Sequence, residues 1–375
     1  MNERLDEHLG YVCDSRRSER FRAAVTATVK PGSIVADLGC GTGILGLECL
    51  KAGAGHVFAV DETEMINVAR EAFERAGMAD RTTCIRGRSF RIELPERVDV
   101  AICDHVGFWG FDYGIIDLLA DARLRFLKPD GVMVPRRLRL MLGAVQSSPA
   151  RRPAEAWHAD GVPCEYHWLS ERTINSKHAV RLGSGDLIAA PCALGDIVLG
   201  SEGAPFLSWS CEMTAERAGA LDGLAGWFEC ELADGVWMTN SPLAQDAINR
   251  EQAFLPIGEP AELVAGESIR ATVMIRPADH VIAWTVTLPA SGRRFSHSTF
   301  EGALLGPDAL GRGRKGSAPR LNKSGRARAV VLGYCDGQRT AKEIEAIMLR
   351  DHPDLLPSQQ EVARFVAETL SRDTN

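Results

Sequence analysis

The sequence predicts an α/β fold made of a parallel sheet covered by helices, followed by an antiparallel β-domain and a small helical domain. Three observations support this order. Short apolar runs alternate with helical patterns in the first third, and strand-like runs separated by turn residues fill the middle. Two helices with capping boxes end the chain. A chain of 375 residues is long enough for two or three domains.

The first domain is predicted for residues 1–134. Buried strands are indicated by SIVADL, GHVFAVD and VDVAICD, which start at Ser33, Gly55 and Val98, and helical patterns lie between them at Ile44–Lys51 and Thr63–Ala76. Because strands and helices alternate, the strands are expected to form a Rossmann-like parallel sheet with helices on both faces.

The second domain is predicted for residues 135–305. Its strand-like runs are separated by Gly, Pro, Asn and Asp, and they include Leu138–Val145, Trp227–Leu232, Ser268–Ile275 and Val281–Leu288. Short strands punctuated by turn residues are typical of an antiparallel barrel or sandwich.

The third domain, residues 320–375, is expected to be helical and to follow a flexible linker at 306–319. Its helices begin at capping boxes, in which Thr340 precedes Glu343 and Ser358 precedes Glu361.

Composition excludes several classes of function. The formal net charge of −7 gives no reason to expect a nucleic-acid partner. No apolar run reaches the roughly 20 residues that cross a bilayer, so no membrane partner is expected. The N-terminal MNERLDEHLG lacks the apolar core of a secretory signal. The ten cysteines contain no CxxC pair and no metal-ligand spacing, so we expect free thiols in the cytoplasm and no metal site.

The glycine-rich loop DLGCGTG, which opens at Asp37, lies between a predicted strand and a predicted helix. Such a loop also suits a tight turn or a dinucleotide site. A carboxylate at Asp37 would repel a pyrophosphate, but it can pair with the ammonium of a methionyl group. Asp61 ends the next strand, where an acid can accept hydrogen bonds from ribose hydroxyls. Together with the G-x-G-x-G spacing, these two acids predict S-adenosylmethionine as the cofactor.

The run VADLGCGTGILGLECLKAGAGHVFAVDETEM resembles the first motifs of the protein arginine methyltransferase family, and the resemblance extends over roughly Asp6–Leu305. An upstream Asp14-Ser-Arg-Arg17 resembles that family's N-terminal helix, whose arginine pairs with the cofactor carboxylate. The acid that contacts adenine in the family is replaced by Phe90. The cofactor-binding residues implied by the motif and the resemblance are Arg17, Asp37, Gly39, Cys40, Gly41, Gly43, Ile44, Leu45, Asp61, Glu62, Arg88, Ser89 and Asp104.

The acceptor loop, residues 103–114, departs from the family, which uses two glutamates to hold a guanidinium. Here Asp104 stands at the first position, and the second falls near Asp112 or Tyr113. His105 could act as a general base or could only fill space. The catalytic candidates are therefore Asp104, Asp112 and His105. The family's Thr-His-Trp loop is absent from Asp246–Phe254, so the acceptor is either arginine in a reduced site or a different group.

The C-terminal domain resembles the PqqD-like recognition elements of enzymes that modify ribosomally made precursor peptides. The matching residues are Leu321, Asn322, Gly325, Asp336, Gly337, Thr340, Glu343 and Ile344. The resemblance implies that residues 320–375 bind a leader peptide by adding it as a strand to a small sheet. A vestigial winged-helix module used for dimerisation or stability is the alternative.

Three functions follow from these features. The first is an N-methyltransferase that modifies a precursor peptide recognised by the C-terminal domain. The second is a protein arginine methyltransferase, and the third is a non-catalytic scaffold that binds peptides. The segment 157–199 corresponds to the family's dimerisation arm, so a homodimer is expected.

Overall fold

The computed structural model describes residues 2–201, 204–304, 306, 316 and 318–374. The chain divides into two compact units, Met1–Ala303 and Leu304–Asn375. Most of the predicted linker 306–319 lies outside the described residues.

The N-terminal part of the first unit contains the predicted parallel sheet, whose strand order is β3-β2-β1-β4-β5. This Rossmann-like sheet confirms the α/β prediction. Its elements are α1 (Asn2–Cys13), α2 (Ser15–Thr28), β1 (Ile34–Leu38), α3 (Ile44–Lys51), β2 (His56–Asp61), α4 (Met65–Arg75), β3 (Thr82–Arg86), β4 (Val98–Ile102), α5 (Ile115–Arg125) and β5 (Leu127–Val134).

The rest of the first unit forms two antiparallel sheets, as predicted in outline. One sheet has the order β7-β12-β10-β6-β8, with β11 paired to β10, and the other has the order β15-β14-β13-β9. The elements are β6 (Arg137–Val145), α6 (Ser148–Glu155), α7 (Leu169–Ile174), β7 (His178–Val180), β8 (Cys192–Val198), β9 (Leu207–Thr214), β10 (Gly219–Ala233), β11 (Val236–Thr239), β12 (Gln252–Leu263), β13 (Ser268–Arg276), β14 (Val281–Leu288), β15 (Arg293–Ser298) and α8 (Thr299–Gly302).

The segment 157–199, predicted as a dimerisation arm, is partly built into the six-stranded sheet. Its strands β7 and β8 pair with β12 and β6 at the two edges of that sheet. The part of this segment before His178, which includes α7, and the connection 181–191 lie outside these strands.

One hydrophobic core joins the parallel sheet to the antiparallel sheets. Trp109, in the loop after β4, is fully buried and its Nε1 donates to the Met141 carbonyl at 3.0 Å. Its ring packs on Gly226 so closely that a Cβ at that glycine would lie 2.1 Å from the indole. The loop predicted to hold the acceptor is therefore fixed against strands β6 and β10.

The described residues of the second unit form the helices α9 (Lys323–Gly333), α10 (Ala341–Asp351) and α11 (Gln359–Asp373). The predicted capping box of Thr340 and Glu343 is present, and Ser358 accepts from the Glu361 amide. Their core is formed by Ala327, Val331, Ile344, Met348, Leu355, Val362 and Val366. The described residues of this unit contain no strand, so the sheet expected to receive a leader peptide is not found among them.

In the part of the chain that the structure describes, no helix is long and apolar enough to span a bilayer.

Candidate active site

A cavity of about 580 Å³ lies at the carboxyl ends of the parallel strands, where open α/β sheets place their ligands. Eleven of the thirteen predicted cofactor residues line this cavity. The two that do not appear among its described lining residues are Asp37 and Gly43. The cavity is lined by Glu7, His8, Tyr11, Arg17, Gly39, Cys40, Gly41, Thr42, Ile44, Leu45, Val60, Asp61, Glu62, Thr63, Gly87, Arg88, Ser89, Phe90, Asp104, His105, Tyr113, Gly114, Leu118 and His280.

Two positions of the glycine-rich loop at the wall of this cavity, Gly39 and Gly41, require glycine. Gly39 and Gly41 have φ angles of 69° and 52°, in the left-handed region that side chains disfavour. A Cβ at Gly39 would also lie 2.2 Å from Nε2 of His105. The amides of Gly39 and Cys40 donate to the Val60 carbonyl at 2.8 and 3.0 Å, which ties the loop to the end of β2.

Asp61 is held rigidly at the end of β2. Its Oδ2 accepts from the Gly41 amide at 2.9 Å, and its Oδ1 accepts from the amide and the hydroxyl of Thr63 at 2.8 and 2.7 Å. An ionised carboxylate has about four acceptor positions. The Asp61 carboxylate therefore retains acceptor capacity for hydroxyl groups bound in the cavity.

Asp37, which is predicted to pair with a methionyl ammonium, is bonded to the first turn of α3 in the structure. Its carboxylate is 1% exposed, and Oδ2 accepts from the Gly46 amide at 2.8 Å. Gly46 lies in the first turn of α3, whose N-cap Gly43 has no side chain to satisfy that donor. Burial raises the pKa of Asp37 to about 7. Asp37 thus caps the helix that follows the loop.

Asp104, at the end of β4, is enclosed by two arginines. Arg17 donates from Nε to Asp104 Oδ2, and Nη2 of Arg250 lies 3.8 Å from the same oxygen. The guanidinium groups of Arg17 and Arg250 also lie over the Tyr11 ring at 5.8 and 5.2 Å. The second oxygen, Asp104 Oδ1, is buried without a hydrogen-bond partner among the described residues. This carboxylate is therefore held in place with one acceptor atom unused.

Asp112 is not brought to the cavity, in contrast to its predicted catalytic role. Its side chain is 2% exposed and forms an ion pair with Lys177. Its Oδ1 accepts from the Trp109 amide at 2.9 Å. Asp112 therefore stabilises the loop from within, and the neighbouring Tyr113 lines the cavity in its place.

His105 does line the cavity, beside the glycine-rich loop. Burial lowers the pKa of its imidazole, so the ring is neutral near neutral pH. A neutral imidazole keeps one acceptor nitrogen.

Four side chains at the site were not predicted from the sequence: Tyr11, His8, His280 and Arg250. Tyr11 and His8 come from α1, where no motif singles them out, and His280 comes from the turn between β13 and β14. Arg250 lies in the stretch in which the family's histidine and tryptophan are missing, so that departure was the available signal.

The residues present fit S-adenosylmethionine. The glycines allow close approach of a ligand, and Asp61 offers acceptors for its ribose. Residues 35–131 match the methyltransferase domain family. The chain is an S-adenosylmethionine-dependent methyltransferase.

Curated relatives of this methyltransferase carry arginine methyltransferase names. It is 28% identical to protein arginine N-methyltransferase 1 of Schizosaccharomyces pombe over 257 residues, which cover 66% of this chain and 74% of that protein. It is 25% identical to an arginine N(omega)-methyltransferase of Streptomyces achromogenes subsp. streptozoticus over 269 residues, which cover 70% and 74%. It is 40% identical to the ribosomal protein arginine N-methyltransferase rmt3 of S. pombe, but only over 40% of this chain and 29% of that protein.

Two solved structures share the fold of this methyltransferase. The Trypanosoma brucei PRMT1 enzyme-prozyme heterotetrameric complex with AdoHcy has a TM-score of 0.69 at 19% identity, covering 78% of this chain and 96% of that chain. Protein arginine methyltransferase 10 of Arabidopsis thaliana has a TM-score of 0.68 at 22% identity, covering 79% and 98%.

Proposed function

We propose that this enzyme transfers methyl groups from S-adenosylmethionine to a guanidine nitrogen of arginine. The observation that carries the proposal is Asp104, a buried carboxylate at the cavity with an unused acceptor oxygen. A carboxylate is the natural partner of a guanidinium. The names of the relatives in S. pombe and Streptomyces support the same acceptor. They favour arginine over the expected precursor peptide, which has no support in the comparisons.

The cofactor supplies a methyl group on a sulfonium, and the protein's task is to hold both reactants. We assign the ribose hydroxyls to Asp61 and the cofactor carboxylate to Arg17. When Arg17 turns to that carboxylate, Asp104 Oδ2 loses its closest partner and becomes available to the acceptor. Holding the acceptor nitrogen in line with the methyl group lowers the entropic part of the barrier.

The acceptor site differs from a two-carboxylate clamp. Asp112 is committed to Lys177, while Tyr113 presents a phenol to the cavity. Arg250 adds a positive charge beside Asp104. We therefore propose that a single carboxylate orients the guanidinium, and that binding of the acceptor is weaker than a bidentate pair of carboxylates would give.

The proposal is tested with the full chain, S-adenosylmethionine and two acceptors, free L-arginine and an arginine-containing peptide. A mass gain of one methyl group on either acceptor supports it, and the acceptor that is modified shows which form of arginine is used. Absence of a mass gain on both, with cofactor bound, would reject arginine.

Asp104→Asn supplies the residue-level test, with Asp112→Asn as the matched loop variant. We expect Asp104→Asn to lower turnover by about 100-fold with little change in cofactor affinity. Asp112→Asn keeps an oxygen for the Trp109 amide, so its turnover per folded molecule should stay close to that of the wild type.

The enzyme is further proposed to form a homodimer through the part of 157–199 that lies outside the sheet. The T. brucei protein of the same fold forms a heterotetrameric complex, which supports assembly in proteins of this kind. Sedimentation equilibrium of the full chain would give twice the monomer mass, and a monomer at micromolar concentration would contradict the proposal.

A chain ending at Ala303 tests whether the second unit takes part in acceptor recognition. We expect that chain to methylate free L-arginine as well as the full chain does. A loss confined to peptide acceptors would instead assign peptide binding to the second unit.

A further inference from the structure

The turn between β13 and β14 reaches the wall of the cavity. His280, the residue after the short helical turn Pro277–Asp279, lines the cavity although it belongs to the four-stranded antiparallel sheet region. Its ring lies beside Gly114, the N-cap of α5, where a Cβ would be 3.4 Å from the imidazole Cε1. An imidazole from a distant hairpin is thus placed at the end of the acceptor loop.

The backbone of His280 adopts a left-handed conformation, with φ 56° and ψ 26°. Among the described residues it is the one non-glycine with positive φ. Such a conformation costs about 1 kcal/mol for a residue with a Cβ, and glycine would avoid that cost. The turn is held by two hydrogen bonds between Arg276 and Asp279, at 2.8 and 2.5 Å. A histidine in a strained backbone conformation at a cavity wall points to a use of its side chain.

His105 follows Asp104 in the acceptor loop, but its Nε2 is turned towards the glycine-rich loop, since a Cβ at Gly39 would lie 2.2 Å from that nitrogen. The ring of His8 also lies against the glycine-rich loop, where a Cβ at Gly41 would be 2.8 Å from it. His280 lies instead next to Gly114, the last residue of the acceptor loop.

Methylation of a guanidinium requires a proton acceptor. A positive sulfonium and a positive guanidinium give a neutral thioether, a positive methylguanidinium and a proton. The phenols of Tyr11 and Tyr113 are poor acceptors, because burial raises the pKa of Tyr11 to about 12 and raises that of Tyr113. Asp104 is occupied in orienting the guanidinium. The acceptor end thus needs a base that is neutral near pH 7.

We propose that Nε2 of His280 accepts the proton released from the acceptor nitrogen. This inference rests on the proposed arginine methylation. The N–C bond forms as the C–S bond breaks, the electron pair of that bond goes to sulfur, and the proton passes to the imidazole and then to water. The charged and titratable groups in the turn of His280 are Arg276 and Asp279. Tyr113 and Asp117 flank Gly114, against which the imidazole lies, and Glu7 and Arg88 line the same cavity.

Two substitutions separate the effect of the His280 side chain from the effect of its backbone strain. His280→Asn keeps a residue type that tolerates the left-handed region but removes the base. His280→Gly removes the base and the strain. Both variants should lose about 100-fold in turnover at pH 7, and only His280→Gly should gain in thermal stability. The loss should shrink as pH rises and hydroxide accepts the proton. The control is His56→Asn, at the amino end of β2 and not among the residues that line the cavity, which should retain the wild-type pH profile.

Cofactor affinity of His280→Asn should stay within about twofold of the wild type, because the imidazole lies at the acceptor end. Wild-type turnover in His280→Asn would overturn the proposal. An equal loss at every pH would also overturn it, because a merely structural role would produce that result.

A second measurement does not depend on arginine as the acceptor. Proton NMR observes the imidazole of His280, assigned by the resonance that His280→Asn lacks, in complexes with S-adenosylmethionine and with S-adenosylhomocysteine. The chemical shift of this imidazole should differ between the two complexes, because they differ in the methyl group and in the positive charge of the sulfonium. Equal chemical shifts would overturn the placement of His280 beside the transferred methyl group. A difference in chemical shift combined with no methylated arginine would leave that placement standing and reject the proposed acceptor.

Discussion

Arg17 and Asp104 form an ion pair in which both side chains are buried, with 4% and 11% of their surface exposed. The pair joins helix α2 to the end of strand β4, although the two residues are 87 positions apart. Removing one member of a buried pair leaves the other charge without compensation, which is more costly than removing both. The pair therefore holds the N-terminal helices against the cavity.

We expect Arg17→Met to lower the free energy of unfolding by about 3 kcal/mol, because Asp104 is then left with only the more distant Arg250. The double variant Arg17→Met/Asp104→Asn should recover part of that loss. Urea unfolding of the four proteins in this cycle gives the coupling free energy. The exposed pair of Arg20 and Asp246 provides the control, and Arg20→Met should cost less than about 1 kcal/mol. Additive effects of Arg17→Met and Asp104→Asn would show that the pair is not coupled.

Lys177→Met should destabilise the protein by about 3 kcal/mol without altering cofactor binding. The reason is that Asp112, 2% exposed, loses its only ion-pair partner among the described residues. Chemical unfolding and calorimetric titration with S-adenosylhomocysteine measure the two effects separately. A weaker cofactor affinity at unchanged stability would return Asp112 to the cavity and contradict its structural role.

The cofactor half of the site could be predicted because its signals are local. The glycines, the strand before them and Asp61 lie within one strand-helix-strand unit, so their spacing determines where they meet. The acceptor half depends on pairs that are distant along the chain. Asp112 pairs with Lys177 and Asp104 approaches Arg250, and no local pattern indicates such partners.

Two further differences between the sequence-based predictions and the structure have physical causes. Asp37 is in the predicted place, but its side chain is directed towards the amide of Gly46, a helix N-terminal donor whose need for a partner the sequence does not reveal. Ten strands form the described antiparallel sheets, and the sequence analysis named strand-like runs for only four of them. Strand β10 illustrates the difficulty, because it is buried on both faces through most of its length and lacks the alternation that marks a half-buried strand.

Asp61→Ala should raise the dissociation constant for S-adenosylhomocysteine by about 10-fold to 100-fold. The substitution removes the proposed acceptor for the ribose hydroxyls and also releases the Gly41 amide, to which Asp61 Oδ2 is bonded at 2.9 Å. Isothermal titration calorimetry measures the change. Asp80→Ala, at an exposed position, should bind like the wild type. Unchanged affinity in Asp61→Ala would remove this residue from the cofactor site.

The buried carboxyl of Asp37 should make stability depend on pH. Its pKa is raised from 3.8 to about 7 by burial, so the folded state holds the proton more tightly than the unfolded state does. The stabilisation that this proton provides is complete below about pH 4 and is lost as pH rises to about 7. Asp37→Asn cannot ionise and keeps an oxygen for the Gly46 amide. The difference in unfolding free energy between this variant and the wild type should therefore increase in favour of the variant by about 2 to 3 kcal/mol from pH 5 to pH 8.

Urea unfolding of the wild type and of Asp37→Asn at pH 5 and pH 8 gives this difference directly. The contributions of the other titrating groups cancel, because both proteins contain those groups. The exposed Asp80→Asn should show no such change with pH. The experiment is carried out without cofactor, since a cation bound near Asp37 would favour its ionised form and lower its pKa. A difference between the two proteins that stays constant from pH 5 to pH 8 would mean that Asp37 is already ionised in the folded protein. Its bond to the Gly46 amide would then outweigh the cost of burial.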